Sequence, residues 1–276
     1  GTQNAALVFG GLVEAPNTCT DTTEEYNGAT FSEQNNLPAA TRNTAGTGTQ
    51  NATIQTGHYI APATMNTETY LYNGNVWSDA GADSITSRRD MGFGGTYNAA
   101  ISAGGAIHPY TAQTCVENWN GASWSAGTAI NTARIGGTFA GTQNAGILFG
   151  NASPYSGITE EWNGSSWSER SDLIQQRAYG ACTAAGLSDA AAAFGGFNNP
   201  SILANTEFWD ATVSSSFLTV DRLKANHLTG DGSDLVSVIA PGLISSSSQI
   251  ASDVSGSFTS GFGHKGNIIG ERKTIG

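Results

Sequence analysis

A short phrase returns five times along the chain at nearly constant spacing. It reads Gly1-Thr-Gln-Asn, Gly48-Thr-Gln-Asn, Gly95-Thr-Tyr-Asn, Gly141-Thr-Gln-Asn and Gly186-Leu-Ser-Asp, each followed by a small, apolar run. The steps are 47, 47, 46 and 45 residues. A period of that length means that one supersecondary unit has been copied in series, each copy covering its apolar faces with its neighbours. The composition agrees: 36 glycines and only 12% charged residues in 276 suit short strands and many turns rather than helices.

One repeat can be read strand by strand. Asn98-Ala-Ala-Ile-Ser-Ala-Gly-Gly105 is a turn residue, a short buried strand and a glycine pair where backbones approach closely. After a loop comes Cys115-Val-Glu-Asn-Trp-Asn-Gly-Ala-Ser-Trp-Ser125, a hairpin in which Asn120-Gly121 predicts a tight type I′ turn. The same hairpin recurs as Tyr26-Asn-Gly-Ala-Thr-Phe31, Tyr72-Asn-Gly-Asn-Val-Trp77 and Trp162-Asn-Gly-Ser-Ser-Trp167, so its two aromatics are always five apart. Rings so placed are expected to pack between adjacent sheets. An arginine (Arg42, Arg88 or Arg89, Arg134, Arg177) then opens a fourth strand such as Arg134-Ile-Gly-Gly-Thr-Phe-Ala140. Four strands per unit is a propeller blade.

That order of elements resembles the kelch repeat. Gly10-Gly11, Gly104-Gly105 and Gly195-Gly196 carry its double glycine, and Glu25-Tyr26, Glu117-Asn118-Trp119, Glu161-Trp162 and Glu207-Phe208-Trp209 its acidic-aromatic element. Gly57-His58 and Gly150-Asn151 depart from the pair. The resemblance implies an all-β chain: a kelch-like β-propeller of four-stranded blades over residues 1–217, five repeats visible, followed by an irregular stem or connector over residues 218–276. Because Gly1 falls inside a repeat, the residues are expected to be an internal portion of a longer polypeptide.

Beyond Phe217 the period stops. Leu228-Thr-Gly-Asp-Gly-Ser-Asp-Leu235 and Ile244-Ser-Ser-Ser-Ser-Gln-Ile-Ala-Ser-Asp-Val-Ser-Gly-Ser-Phe258 resemble connector segments in structural proteins of tailed bacterial viruses, particularly marine ones. Ile250 and Val254, four apart after a serine run, predict a short helix whose apolar stripe needs a partner copy. The resemblance implies a non-enzymatic virion structural protein, a tail fibre or appendage on the particle surface. It would be a homotrimer through residues 218–276, would contact other virion proteins, and would display the propeller for attachment to a host-surface glycan or for decoration. The alternative reading is a secreted or cell-surface carbohydrate-binding kelch propeller of a bacterium.

Eleven basic against twenty-two acidic residues give a formal charge of −11, with no lysine or arginine cluster to grip phosphates, which argues against nucleic acid. No apolar stretch approaches the roughly 18 residues of a membrane span. Cys19, Cys115 and Cys182 form no ligand-like cluster; Cys19 and Cys115 are expected in loops and Cys182 in a strand, as unpaired, half-buried thiols. No serine-nucleophile elbow, phosphate loop or HExxH is present, so no catalytic residue, cofactor or metal is expected. His58 and His108, in neighbouring repeats, could share a face but are expected to be ordinary loop histidines rather than ligands of a copper site.

Alternate loops of an antiparallel blade share a face. The loop after each small strand carries one proline, at Pro16, Pro62, Pro109, Pro154 and Pro200, among changing neighbours. A fixed frame with varied decoration suits binding loops. Tyr59, His108, Tyr110, Tyr155, Asn198 and Asn199 are therefore the candidate ligand-binding residues, with tyrosines to stack on a sugar and amides to hydrogen-bond it.

Overall fold

The chain divides into two units, Gly1–Phe217 and Leu218–Gly276. The computed structural model describes residues 1–13, 18–60, 64–183 and 190–210. The connector motifs with Ile250 and Val254, Pro16, Pro62 and the fifth phrase at residues 186–189 lie outside the described residues.

Every described element is a strand, and five antiparallel sheets follow one another as the blades of a β-propeller. Blade 1 is β1 (Ala6–Val13), β2 (Thr18–Tyr26) and β3 (Phe31–Glu33). Blade 2 is β4 (Ala45–Thr49), β5 (Ala52–Ile60), β6 (Thr64–Tyr72) and β7 (Trp77–Asp79). Blade 3 has β8 (Gly92–Thr96) and β9 (Ala99–Ala103), a small ribbon of β10 (Ala106–Ile107) and β11 (Thr111–Ala112), then β12 (Val116–Trp119) and β13 (Trp124–Ala126). Blade 4 is β14 (Thr138–Thr142), β15 (Ala145–Ala152), β16 (Tyr155–Trp162) and β17 (Trp167–Arg170). Blade 5 has β18 (Ala181–Cys182) and β19 (Ala190–Phe194), a ribbon of β20 (Phe197–Asn198) and β21 (Ser201–Ile202), and β22 (Thr206–Asp210). The main sheets of blades 2 to 4 have four strands in chain order; those of blades 1 and 5 have three among the described residues. The inner strands β4, β8, β14 and β18 line one open channel of about 360 Å³.

The hairpins differ from the predicted type I′ turn. The aromatics are direct cross-strand partners (Tyr26 with Phe31, Tyr72 with Trp77, Trp119 with Trp124, Trp162 with Trp167), which leaves a four-residue loop. Only the glycine of each Asn-Gly has positive φ, 94° at Gly121 for instance. The asparagine works through its side chain instead: Asn120 Oδ1 accepts from the amides of Ala122 and Ser123 at 3.0 and 2.9 Å.

As expected, the ring pairs pack between blades. Trp162 and Trp167, with centroids 5.1 Å apart, are buried with Leu148 against Ile101 and Ala103 of blade 3. Trp119 and Trp124 are buried with Ala100 against Ile54 of blade 2. Tyr72 and Trp77 receive Leu7 and Phe9 of blade 1, and Ala191 and Ala193 of blade 5 receive Ile147 and Phe149 of blade 4. Blades 1 to 4 thus have a leading face built on an aromatic pair, blade 5 one built on alanines and Trp209, and the preceding blade supplies alternate aliphatic or phenylalanine side chains. Trp77 and Trp124 also donate their indole N–H to Thr23 and Thr69 of the preceding blade, both at 2.9 Å. Two large rings removed from water at each of the first three junctions supply much of the hydrophobic stabilisation.

The glycine pair has a single invariant member. Gly10, Gly57, Gly104, Gly150 and Gly195 all adopt positive φ, between 62° and 76°. At Gly10, Gly57 and Gly150 the strand register slips by one residue. A Cβ at Gly10, Gly57, Gly104 or Gly150 would meet the backbone oxygen of Thr41, Arg88, Arg134 or Arg177, respectively, so the bulge is where the next blade's backbone passes. His58 and Asn151 are tolerated because the second position has no positive φ in blades 2 and 4, whereas Gly105 and Gly196 have it and a Cβ there would meet the backbone oxygen of Arg89 or Ala178.

Arg88, Arg134 and Arg177 are equivalent and buried, and each forms an ion pair within its own blade, with Glu117, Glu160 and Glu207. The structural acid is two residues before the aromatic, so in blade 4 it is Glu160 rather than Glu161. Glu160 also accepts the amides of Asn131 and Thr132 at 2.7 and 3.1 Å, and the Arg134 guanidinium donates to the carbonyls of Leu148 and Ile158 at 3.3 and 3.0 Å. Burial lowers the Arg134 pKa while Glu160 raises it, so the charge is held by its partner. Arg42 does not belong to this set; Thr41 holds the position in blade 2, and Arg42 matches Arg89.

Cys19 lies in β2 rather than in a loop, Cys115 precedes β12, and Cys182 is in β18. All three are free, part-buried thiols. Burial pushes the Cys182 thiol up to about 12, and it donates to the Phe139 carbonyl at 3.0 Å.

Candidate functional site

Two residues after the Thr41 or arginine position, each of blades 2 to 5 places one residue in the left-handed region: Asn43 (φ 54°), Asp90 (56°), Gly136 (66°) and Tyr179 (56°). For a residue as bulky as tyrosine that conformation is strained. A backbone chain explains it. The amide of Asp90 donates to Asn43 O at 3.4 Å, that of Gly136 to Asp90 O at 2.7 Å, and that of Tyr179 to Gly136 O at 2.8 Å. One left-handed residue per blade is what turns these amides around the channel, and all four residues line it.

Above this chain stands an arc of aromatic and guanidinium groups. The Arg42 and Arg89 guanidinium carbons lie 4.8 and 4.9 Å from the Tyr59 ring centre, and Arg89 is also 4.9 Å from the Tyr110 ring centre. The Tyr110 and Tyr179 hydroxyls share a hydrogen bond, and the Tyr179 ring lies over Gly136, where a Cβ would collide with it. The arc runs from Arg42 in blade 2 to Tyr179 in blade 5. Its acidic member is Asp90, which accepts from Asn43 Nδ2 at 2.7 Å and sits 3.7 Å from Arg89 Nε. Burial raises the Asp90 pKa, while the Asn43 hydrogen bond and the Arg89 and Arg42 charges pull it back. Burial and the bond to Tyr110 raise the Tyr179 phenol, so Tyr179 keeps its proton at neutral pH.

The six candidate residues are placed as follows. Tyr59 and Tyr110 are in the arc, Tyr110 exposed and Tyr59 half-buried under guanidinium groups. Tyr155, at the start of β16, meets Phe197 edge-on with centroids 5.8 Å apart. His108 and Asn199 are exposed and directly precede cis prolines in their turns, and Asn198 is half-buried in β20. His58 is not on the loop face; it is fully buried in blade 2, stacked 6.0 Å from Tyr70.

Arg42, Asn43, Arg89, Asp90 and Tyr179 are members that the motif reading missed. They sit at a position that repeats with the period but varies in residue type, which is the signal that could have singled them out. Chemically the arc offers fixed donors, one acidic acceptor and exposed ring edges. Among the described residues no three His, Cys, Asp or Glu side chains form a metal-binding group, and no helix is long and apolar enough to cross a membrane. Compared with the models of known protein families and with curated proteins, the chain matches none.

Proposed function

We propose that this β-propeller is a non-enzymatic attachment domain, displayed on a fibre or appendage of a tailed bacterial virus, with the arc face turned to a host-surface glycan. The observation that carries the reading is the arc itself. Left-handed backbone at four successive blades, strained at Tyr179, converges on one channel mouth, and the side chains held there have the chemistry that grips a sugar: planar rings, phenol and guanidinium donors and one carboxylate. The connector wording of residues 228–258 supports the virion setting, with residues 218–276 as the trimeric stem and other virion proteins as neighbours.

The test is binding of the full chain to an array of bacterial surface polysaccharides. At least one is expected to be retained, and Tyr110→Ala combined with Tyr155→Ala is expected to weaken it at least tenfold. Retention that is indifferent to both substitutions, or no retention by any polysaccharide, would overturn the glycan reading.

A further inference from the structure

Positive charge is unevenly placed in the propeller. Among the described residues there are six arginines and no lysine. Arg88, Arg134, Arg170 and Arg177 each pair with a glutamate of their own blade. The other two, Arg42 and Arg89, both stand in the arc, at the same position of blades 2 and 3. The backbone of that position belongs to the repeated frame, pairing with Tyr59 in blade 2, Ala106 in blade 3 and Phe197 in blade 5. The frame does not ask its side chain for a charge, because blades 4 and 5 have the buried Ile135 and Ala178 there. Two guanidinium groups side by side at this position therefore answer to something other than the fold.

Resting on the glycan reading above, we propose that the ligand is an acidic glycan and that Arg42 and Arg89 hold its anionic group, a carboxylate or a phosphodiester. Both guanidinium groups lie over the Tyr59 ring, and Arg89 lies over Tyr110 as well. Cation–π attraction fixes a guanidinium against a ring without using up its N–H donors, whose planar fork matches the oxygens of a carboxylate or phosphate. Asp90 does not satisfy Arg89: Oδ2 is 3.7 Å from Nε, which has no hydrogen-bond partner among the described residues, and Oδ1 accepts from Asn43. With a side chain only 5% exposed, Asp90 brings one negative charge against two positive ones, so the arc keeps a positive balance in a chain of formal charge −11. Charges beyond about 8 Å are largely screened at physiological ionic strength, so an anion seated on Tyr59 and Tyr110 answers to the local pair.

The test uses the full chain on an array in which every acidic polysaccharide is spotted beside its own neutralised form, carboxyl-reduced or dephosphorylated. Retained members are expected to be acidic, each held at least about tenfold more strongly than its neutralised form. Which neutralisation abolishes retention tells a carboxylate from a phosphodiester. Arg89→Gln is expected to bring the acidic-to-neutral ratio close to one, and Arg89→Lys, which keeps the charge without the planar fork, to preserve part of it. Arg170→Gln removes the same charge outside the arc and is expected to leave the ratio as it is; near-ultraviolet circular dichroism checks that each variant keeps the fold. If Arg89 served only to support Tyr59 and Tyr110, Arg89→Gln would weaken both forms alike and keep the ratio, which would overturn the proposal. Equal retention of neutral and acidic polysaccharides would overturn it too while leaving the glycan reading in place, whereas retention of none would remove that reading and this inference with it.

Discussion

At residue scale the repeat is most informative where it breaks. Blade 2 has Thr41 and Tyr70 where blades 3 to 5 have an arginine paired with a glutamate, so both charges are absent together. Losing one alone would leave an uncompensated buried charge, at a cost of about 3–5 kcal/mol. The fully buried His58 takes part in filling the site, its Nδ1 3.4 Å from Gln55 Nε2 and its Nε2 3.7 Å from Glu68. Burial lowers the His58 pKa, and the Glu68 and Asp83 charges raise it by less. Between about pH 6.5 and the lower folded value, the unfolded chain binds a proton that the folded chain refuses, so stability falls as pH falls. Asp90, its pKa raised by burial, acts in the opposite sense and at lower pH. The urea midpoint is therefore expected to drop between pH 7.5 and 5.5, and His58→Gln is expected to flatten that drop; an equal slope in the variant would show that another group is responsible. None of this was legible from the arginines as motif residues, because Arg134 and Glu160 are 26 positions apart and only the folded sheet aligns them.

At the scale of elements, the hairpins were readable and their turns were not. Aromatics five apart identify cross-strand partners under any short loop, whereas the loop conformation depends on whether the asparagine uses its backbone or its side chain. Here Asn73 Oδ1 accepts from Asn75 and Val76 at 3.0 and 2.9 Å, which satisfies the loop amides without a positive φ at Asn73. The glycine pair likewise looked degenerate in two repeats until the structure showed that its first member is the one whose positive φ all five blades share. Equivalent aromatics should differ in energetic worth because their surroundings differ. Trp167→Ala removes a ring buried between blades 3 and 4 and is expected to cost about 3–5 kcal/mol in equilibrium unfolding. Phe31→Ala at the matching position of blade 1 is expected to cost under about 1 kcal/mol in dilute solution, as for other exposed sites. Equal costs would mean that the leading face of blade 1 is covered.

At the scale of the molecule, one junction, repeated from blade to blade, accounts for the stacking of the blades and for the channel that their inner strands line. The period in the sequence foretold the stacking, since each copy needs neighbours. The arc was only half foretold: loop tyrosines could be picked out by their prolines, but the left-handed chain beneath them joins residues 43, 90, 136 and 179, which no local motif connects. The most direct measurement is amide hydrogen exchange on the full chain, resolved by peptide, in the wild type and in Trp167→Ala. If the blades stabilise one another through their junctions, removing the Trp167 ring will speed exchange in β9 and β12 of blade 3 as well as in β15 to β17 of blade 4. A loss of protection confined to β17 would contradict stabilisation by the junction.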